Sequence, residues 1–154
     1  MQREQQGQST LNRAVALWAS GILPTLLKPE QRAAIAEEII RQQHEDGGWS
    51  ASSLTKKDWK RRDGTPLDAN SDGYGTGLVV IALDQAHIAS AQTQIAKGRA
   101  WLEHHQEPSG AWLSTSMNKQ RDPDSDAGRF MSDAATAYSV LALSGKVLSP
   151  AERQ

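Results

Sequence analysis

Three groups of side chains in this 154-residue chain are of types that can do chemistry. The first is oxygen-rich: Asp68-Ala-Asn70-Ser-Asp72-Gly73 and Asp122-Pro-Asp124-Ser-Asp126-Ala-Gly128. Alternate carboxylates and amides of this kind open a calcium loop, which also needs a bidentate carboxylate at its twelfth position. In the first stretch that position is Val79, so the match fails; in the second the glycine comes one place late, although Asp133 falls at position twelve. Asx turns and helix caps account for such residues more simply. No metal is expected, and Asp122, Asp124 and Asp126 form the alternative metal set. The second group is Lys56-Lys57-Asp58-Trp59-Lys60-Arg61-Arg62, where cations flank an indole. Such a stretch suits a phosphate with a stacked base or a membrane interface, and equally a solvated loop with Trp59 folded onto it. The third group is the histidines, His44, His87, His104 and His105, which make no ligand pattern.

Composition narrows the field. Lys plus Arg is 17 against 18 acids, a formal net charge of -1, so no overall field draws the chain to nucleic acid. The absence of cysteine excludes disulfides, thiolate zinc sites and a Cys nucleophile. No phosphate-binding loop or nucleophile-elbow motif is present, and no cofactor is expected. The polar start Met1-Gln-Arg-Glu-Gln-Gln-Gly lacks the apolar stretch of a signal peptide. The longest apolar run, Leu78 to Leu83, is far short of the roughly 20 residues a transmembrane helix needs. The expectation is a soluble, cytoplasmic chain with no transmembrane segment.

The elements that position these groups are read from internal repetition. Gln43-His-Glu-Asp-Gly47-Gly-Trp49 recurs as Gln106-Glu-Pro-Ser-Gly110-Ala-Trp112 with identical spacing. Thr76-Gly-Leu-Val-Val-Ile-Ala82-Leu83 recurs as Thr136-Ala-Tyr-Ser-Val-Leu-Ala142-Leu143, and Ala14-Val-Ala16-Leu17 is a partial copy. Leu27-Lys-Pro29-Glu-Gln-Arg32 returns as Leu148-Ser-Pro150-Ala-Glu-Arg153. Pro29 suits a first helical turn, and Gly47-Gly48 ends that helix. A second amphipathic helix is expected over 93–106, with Ile95, Leu102 and His105 on one side. Leu78 to Leu83 and much of Thr136 to Leu143 are apolar all round, which requires cover on every side.

The reading is therefore all-α: tandem helical hairpins, inner helices alternating with outer ones, about two and a half repeats in one domain over 1–154. The hairpins are expected over 9–49 and 72–112, with a third starting at 132–154. Each outer helix is followed by a long connection, 50–71 and 113–132, and both should emerge on one rim. Gly47 and Gly110 allow a tight exit, Gln43 and Gln106 can bond backbone beyond the turn, and the indoles of Trp49 and Trp112 cover the joint.

Gly98-Arg-Ala-Trp101-Leu-Glu-His-His-Gln106-Glu-Pro-Ser-Gly110-Ala-Trp112 resembles the QW motif of squalene–hopene cyclases and related triterpene cyclases, and Gln43 to Trp49 resembles a shorter copy. Prenyltransferase β subunits share that architecture, but their zinc site uses a cysteine this chain lacks. The resemblance covers residues from about Leu11 to Arg153 and implies an (α/α) toroid whose inner helices line an apolar cavity. Tyr74, Tyr138 and Trp59 are the candidate ligand-contacting aromatics.

Those cyclases protonate an alkene from an Asp in an Asp-x-Asp-Asp-Thr-Ala segment. The matching positions here are Ala134 and Tyr74, within Ser132-Asp133-Ala-Ala-Thr136 and Asp72-Gly-Tyr74-Gly-Thr76. Asp133 stands one residue off, about 100° around a helix. Asp133 and Asp72 are the nearest candidates for catalysis, and both suit caps of inner helices better. The reading is thus a cyclase-like domain without catalysis, binding an apolar or isoprenoid-like ligand. Two alternatives stand beside it: a protein-interaction scaffold using the rim loops, and part of a cyclase completed by further chain or by self-association with a second subunit.

Overall fold

The computed structural model describes residues 7–145. Among them are five α-helices and no strand: α1 Thr10–Ile22, α2 Pro29–Ile40, α3 Gly73–Gln85, α4 Gln92–His104 and α5 Asp126–Ser144. A 3-10 turn, Ala89–Ala91, leads into α4. The chain is all-α in this region; the expected repeat of Leu27–Arg32 at Leu148–Arg153 lies outside the described residues.

Local chemistry sets the helix ends. Ser9 caps α1 through the Asn12 amide, Asp72 caps α3 through the Gly75 amide, and Ser125 caps α5 through the Gly128 amide. Pro29 opens α2, where Gln31 Oε1 accepts the Lys28 amide at 2.9 Å. Gly145 closes α5 in the left-handed region at φ 61°.

Helices α1, α3 and α5 form one row, and α2 and α4 lie behind α1 and α3 respectively. Helix α3 is flanked on both sides by its row-mates and backed by α4. That explains its composition, since every residue from Thr76 to Leu83 is buried. Its glycines set the closeness of the row: a Cβ on Gly77 would come within 2.8 Å of the Ser139 amide of α5. Helix α5 has cover on one flank only. Ala137 and Val140 are exposed, which corrects the expectation that Thr136 to Leu143 is enclosed all round.

The outer helices are pinned to the row by arginines. Arg32 of α2 donates to the carbonyl of Ala86 just past α3, and Arg99 of α4 donates to Ala142 O of α5 at 3.1 Å while pairing Asp84 of α3 at 3.0 Å. Helix C-termini carry unpaired carbonyls and a negative partial charge, so guanidinium groups suit them.

One expected boundary moves. Helix α5 begins at Asp126, not at 132, because Ser125 and the turn beginning at Asp122 supply a cap there. Asp133 therefore sits in the second turn, exposed, and caps nothing. The second long connection shortens to residues 113–125.

Candidate functional site

The two Gln-to-Trp turns are built alike. Gly47 and Gly110 take φ of 91° and 86°. Gln43 Nε2 donates to Gly47 O at 2.8 Å, and Gln106 Nε2 to Gly110 O at 2.9 Å. Each indole reaches back to the last turn of its outer helix, Trp49 Nε1 to Ile39 O at 2.9 Å and Trp112 Nε1 to Leu102 O at 2.8 Å. The first turn also binds the next repeat. Gln43 Nε2 donates to Gln94 O of α4 at 3.0 Å, and Trp101 Nε1 donates to Asp46 Oδ2 at 3.0 Å. Burial raises the Asp46 pKa, but the Gly48 amide, Ser71, Trp101 and the charge of His44 outweigh it and hold the carboxyl below its ordinary value. Neither Asp46 nor the stacking of His105 on Trp101, at 4.1 Å between ring centroids, was visible in the repeat pattern.

Tyr74 and Tyr138 meet edge to face at 5.2 Å, and Trp18 of α1 meets Tyr138 at 6.3 Å. Helix geometry places this trio. Around α3, Gly73 and Gly77 touch α5 while Thr76 and Val80 face the Trp49 joint and α4. Tyr74, Leu78 and Ile81 then fall on the side turned away from the outer helices. On α1 the same side carries Leu11, Val15, Trp18 and Ile22, at offsets of four, three and four residues. Trp18 and Tyr138 pack against the core cluster that includes Ile81, and Leu78 and Ile81 are buried. Val15 and Ile22, at 42% and 40%, remain open. The result is an apolar face, turned away from α2 and α4, with an aromatic centre. Burial, with smaller electrostatic contributions from Tyr138 and Asp72, pushes the Tyr74 phenol above its ordinary pKa. The Trp18 Nε1 is buried without a hydrogen-bond partner. The repeat does not point to Trp18: with Ala16-Leu17 set against Ala142-Leu143, the residue aligned with Tyr138 is Asn12.

Trp59 stands elsewhere, on the rim. Its Nε1 donates to Met117 O at 3.0 Å, so the two long connections are joined there. Arg61 completes the joint: Nε donates to Ser116 O at 2.8 Å, Nη1 to Pro66 O at 2.5 Å and Nη2 to Thr115 Oγ1 at 3.3 Å. The remaining cations of the run are exposed.

Asp72 is consumed by structure. Its carboxylate accepts from the Ala51 amide at 2.6 Å, the Gly75 amide at 2.9 Å and Ser114 Oγ at 3.1 Å. Burial raises its pKa, opposed by those bonds. Asp133 lies on the free flank of α5, about 140° around the helix from Tyr138. The two aspartates thus do not converge on the aromatic centre. Asp122 and Asp68 instead hold Asx turns, accepting the Asp124 and Asn70 amides at 3.0 Å each. Among the described residues no three His, Cys, Asp or Glu side chains gather as a metal site. No described helix is long and apolar enough to cross a membrane.

No family model matches the chain, and no solved structure matches it.

Proposed function

We propose that the inner face of this helical-repeat domain binds an elongated apolar, isoprenoid-like molecule and does not carry out acid-initiated cyclisation. The observation that carries this reading is the Trp18–Tyr74–Tyr138 cluster, contributed by three different helices to the side away from the outer pair. Flat aromatic faces beside open aliphatic side chains suit a hydrocarbon chain, whose affinity comes from buried area. The likeness of the Gln-to-Trp turns to those of triterpene cyclases supports the same ligand class. The engagement of Asp72 in three acceptor bonds supports binding without catalysis.

Titration with farnesol and squalene, followed by tryptophan fluorescence, tests the reading. Saturable binding that weakens about tenfold in Trp18→Leu and Tyr138→Leu, by loss of aromatic contact, is the expected result. Binding indifferent to both substitutions would count against the inner face.

A second reading, a scaffold for a protein partner, is favoured by Phe130 and Val140 of α5, which are 70% and 52% exposed. Phe130→Ser separates the two, since it leaves the aromatic trio intact.

A further inference from the structure

Two clefts meet at Trp59. One, of about 370 Å³, is lined by Lys56, Lys60, Arg62, Asp58 and Asn118 with the indole. Three cations against one carboxylate make its local balance positive in a chain whose formal net charge is -1. The other, of about 330 Å³, shares Lys56 and Trp59 and adds Leu11, Met117 and polar residues of the α1 start. Both are held open by structure: Trp59 is fixed to Met117 O, the Arg62 amide donates to Asn118 O at 2.9 Å, and the buried Arg61 ties the connections together. Trp59 is 45% exposed.

Leu11 joins this rim to the inner face. It is the first residue of the stripe Leu11, Val15, Trp18, Ile22, which runs about 16 Å along α1 at 1.5 Å per residue. A molecule with an anionic head among the cations would pass Trp59, reach Leu11, and lay its tail along the stripe toward Trp18.

We infer that the ligand is a single-chain anionic amphiphile with a phosphate-type headgroup, its head held by Lys56, Lys60 and Arg62 beside Trp59 and its tail on the inner face. Charge complementarity selects the head, since phosphate oxygens accept several charge-assisted bonds at once. The tail assignment rests on the apolar-ligand reading above; the head assignment does not.

Calorimetry with monomeric dodecyl phosphate, dodecan-1-ol and inorganic phosphate, below micelle-forming concentrations, tests the inference. Dodecyl phosphate should bind one per chain, about tenfold more tightly than the alcohol. That preference should shrink as salt rises and vanish in the triple variant K56Q/K60Q/R62Q, whose altered side chains are exposed and leave the helical melt unchanged. Equal affinity for phosphate ester and alcohol would overturn the headgroup and leave the apolar-ligand reading standing. Binding of neither would overturn both. Inorganic phosphate binding as tightly as the ester would reduce the rim to an anion site and overturn the amphiphile. Binding to anionic phosphatidylserine vesicles without binding to the monomeric ester would move the partner to a lipid surface, which also overturns it. The salt series on the unaltered chain decides the head assignment independently of any variant.

Discussion

The Thr76 hydroxyl accepts the Trp49 amide at 2.9 Å and returns its own proton to the Trp49 carbonyl at 3.1 Å. This two-way clip joins the turn of one hairpin to the first turns of the next inner helix, in a fully buried place. The equivalent Thr136 accepts the Trp112 amide at 3.0 Å but donates to Ser132 O of its own helix. The Thr76 hydroxyl therefore gives the first joint two bonds, and the Thr136 hydroxyl gives the second joint one.

Replacing Thr76 by Val keeps the shape and removes both bonds, leaving the Trp49 amide buried without a partner and the Trp49 carbonyl with the Asp72 amide alone, at 3.0 Å. The expected loss is about 1–3 kcal/mol. Thr136→Val strands only the Trp112 amide, at a part-buried site, and should cost about 1 kcal/mol. Urea midpoints at constant slope measure the difference; equal costs would contradict the asymmetry.

Gly77 tests the closeness of the row. An added Cβ would meet the Ser139 amide and the Tyr138 carbonyl carbon, each at 2.8 Å, and these are backbone atoms that cannot swing aside. Gly77→Ala should cost about 1–3 kcal/mol through overpacking, despite the better helix propensity of alanine. It should also disturb Tyr138, so near-ultraviolet dichroism of the aromatics should change. A neutral or stabilising effect would mean that α3 and α5 part easily.

Asp46 and Asp72 should respond to acid in opposite directions. The Asp46 pKa is lowered in the fold, so its contribution is present above the ordinary value of 3.8 and is lost as pH falls through the lower folded pKa. The Asp72 pKa is raised, so its contribution is full below 3.8 and is lost as pH rises through the higher folded pKa. Relative to Asp46→Asn, the native chain should lose stability on acidification; relative to Asp72→Asn, it should gain. Parallel urea melts from neutral pH to below 3.8 read both slopes, and slopes of one sign would refute the pair.

What the sequence made legible follows from distance along the chain. The Gln-to-Trp turns, the Asp72 cap and the alternation of apolar with amphipathic helices all depend on residues within a turn or two of one another. The start of α5 is equally local: Asx turns and caps in Asp122–Gly128 allow it, but the repeat, which matches Thr136 to Thr76, sets the start at 132. The Asp46–Trp101 bond and the position of Trp18 against Tyr138 join different hairpins, and no periodicity records them. The basic run misled in a particular way: a string of cations reads as a solvated loop, yet Arg61 is 8% exposed. Its partners are carbonyls and a hydroxyl, and any residue type could have supplied the carbonyls.

That burial makes Arg61 the residue on which rim order depends. Arg61→Met preserves much of the side-chain length but removes donors to Ser116 O, Pro66 O and Thr115 Oγ1, two of which are main-chain acceptors. The affected backbone lies in the connections 50–71 and 113–125, while the helices keep their own packing. The change should therefore be local: faster amide exchange and earlier proteolytic cleavage within the two connections, with α3 and α4 amides protected as before. The Trp59 bond to Met117 O depends on the same alignment, so Trp59 emission should shift toward that of a solvated indole. Loosening of both connections together would show that one guanidinium couples them. Loosening of 50–71 alone would place the coupling in the backbone pair Arg62–Asn118 instead.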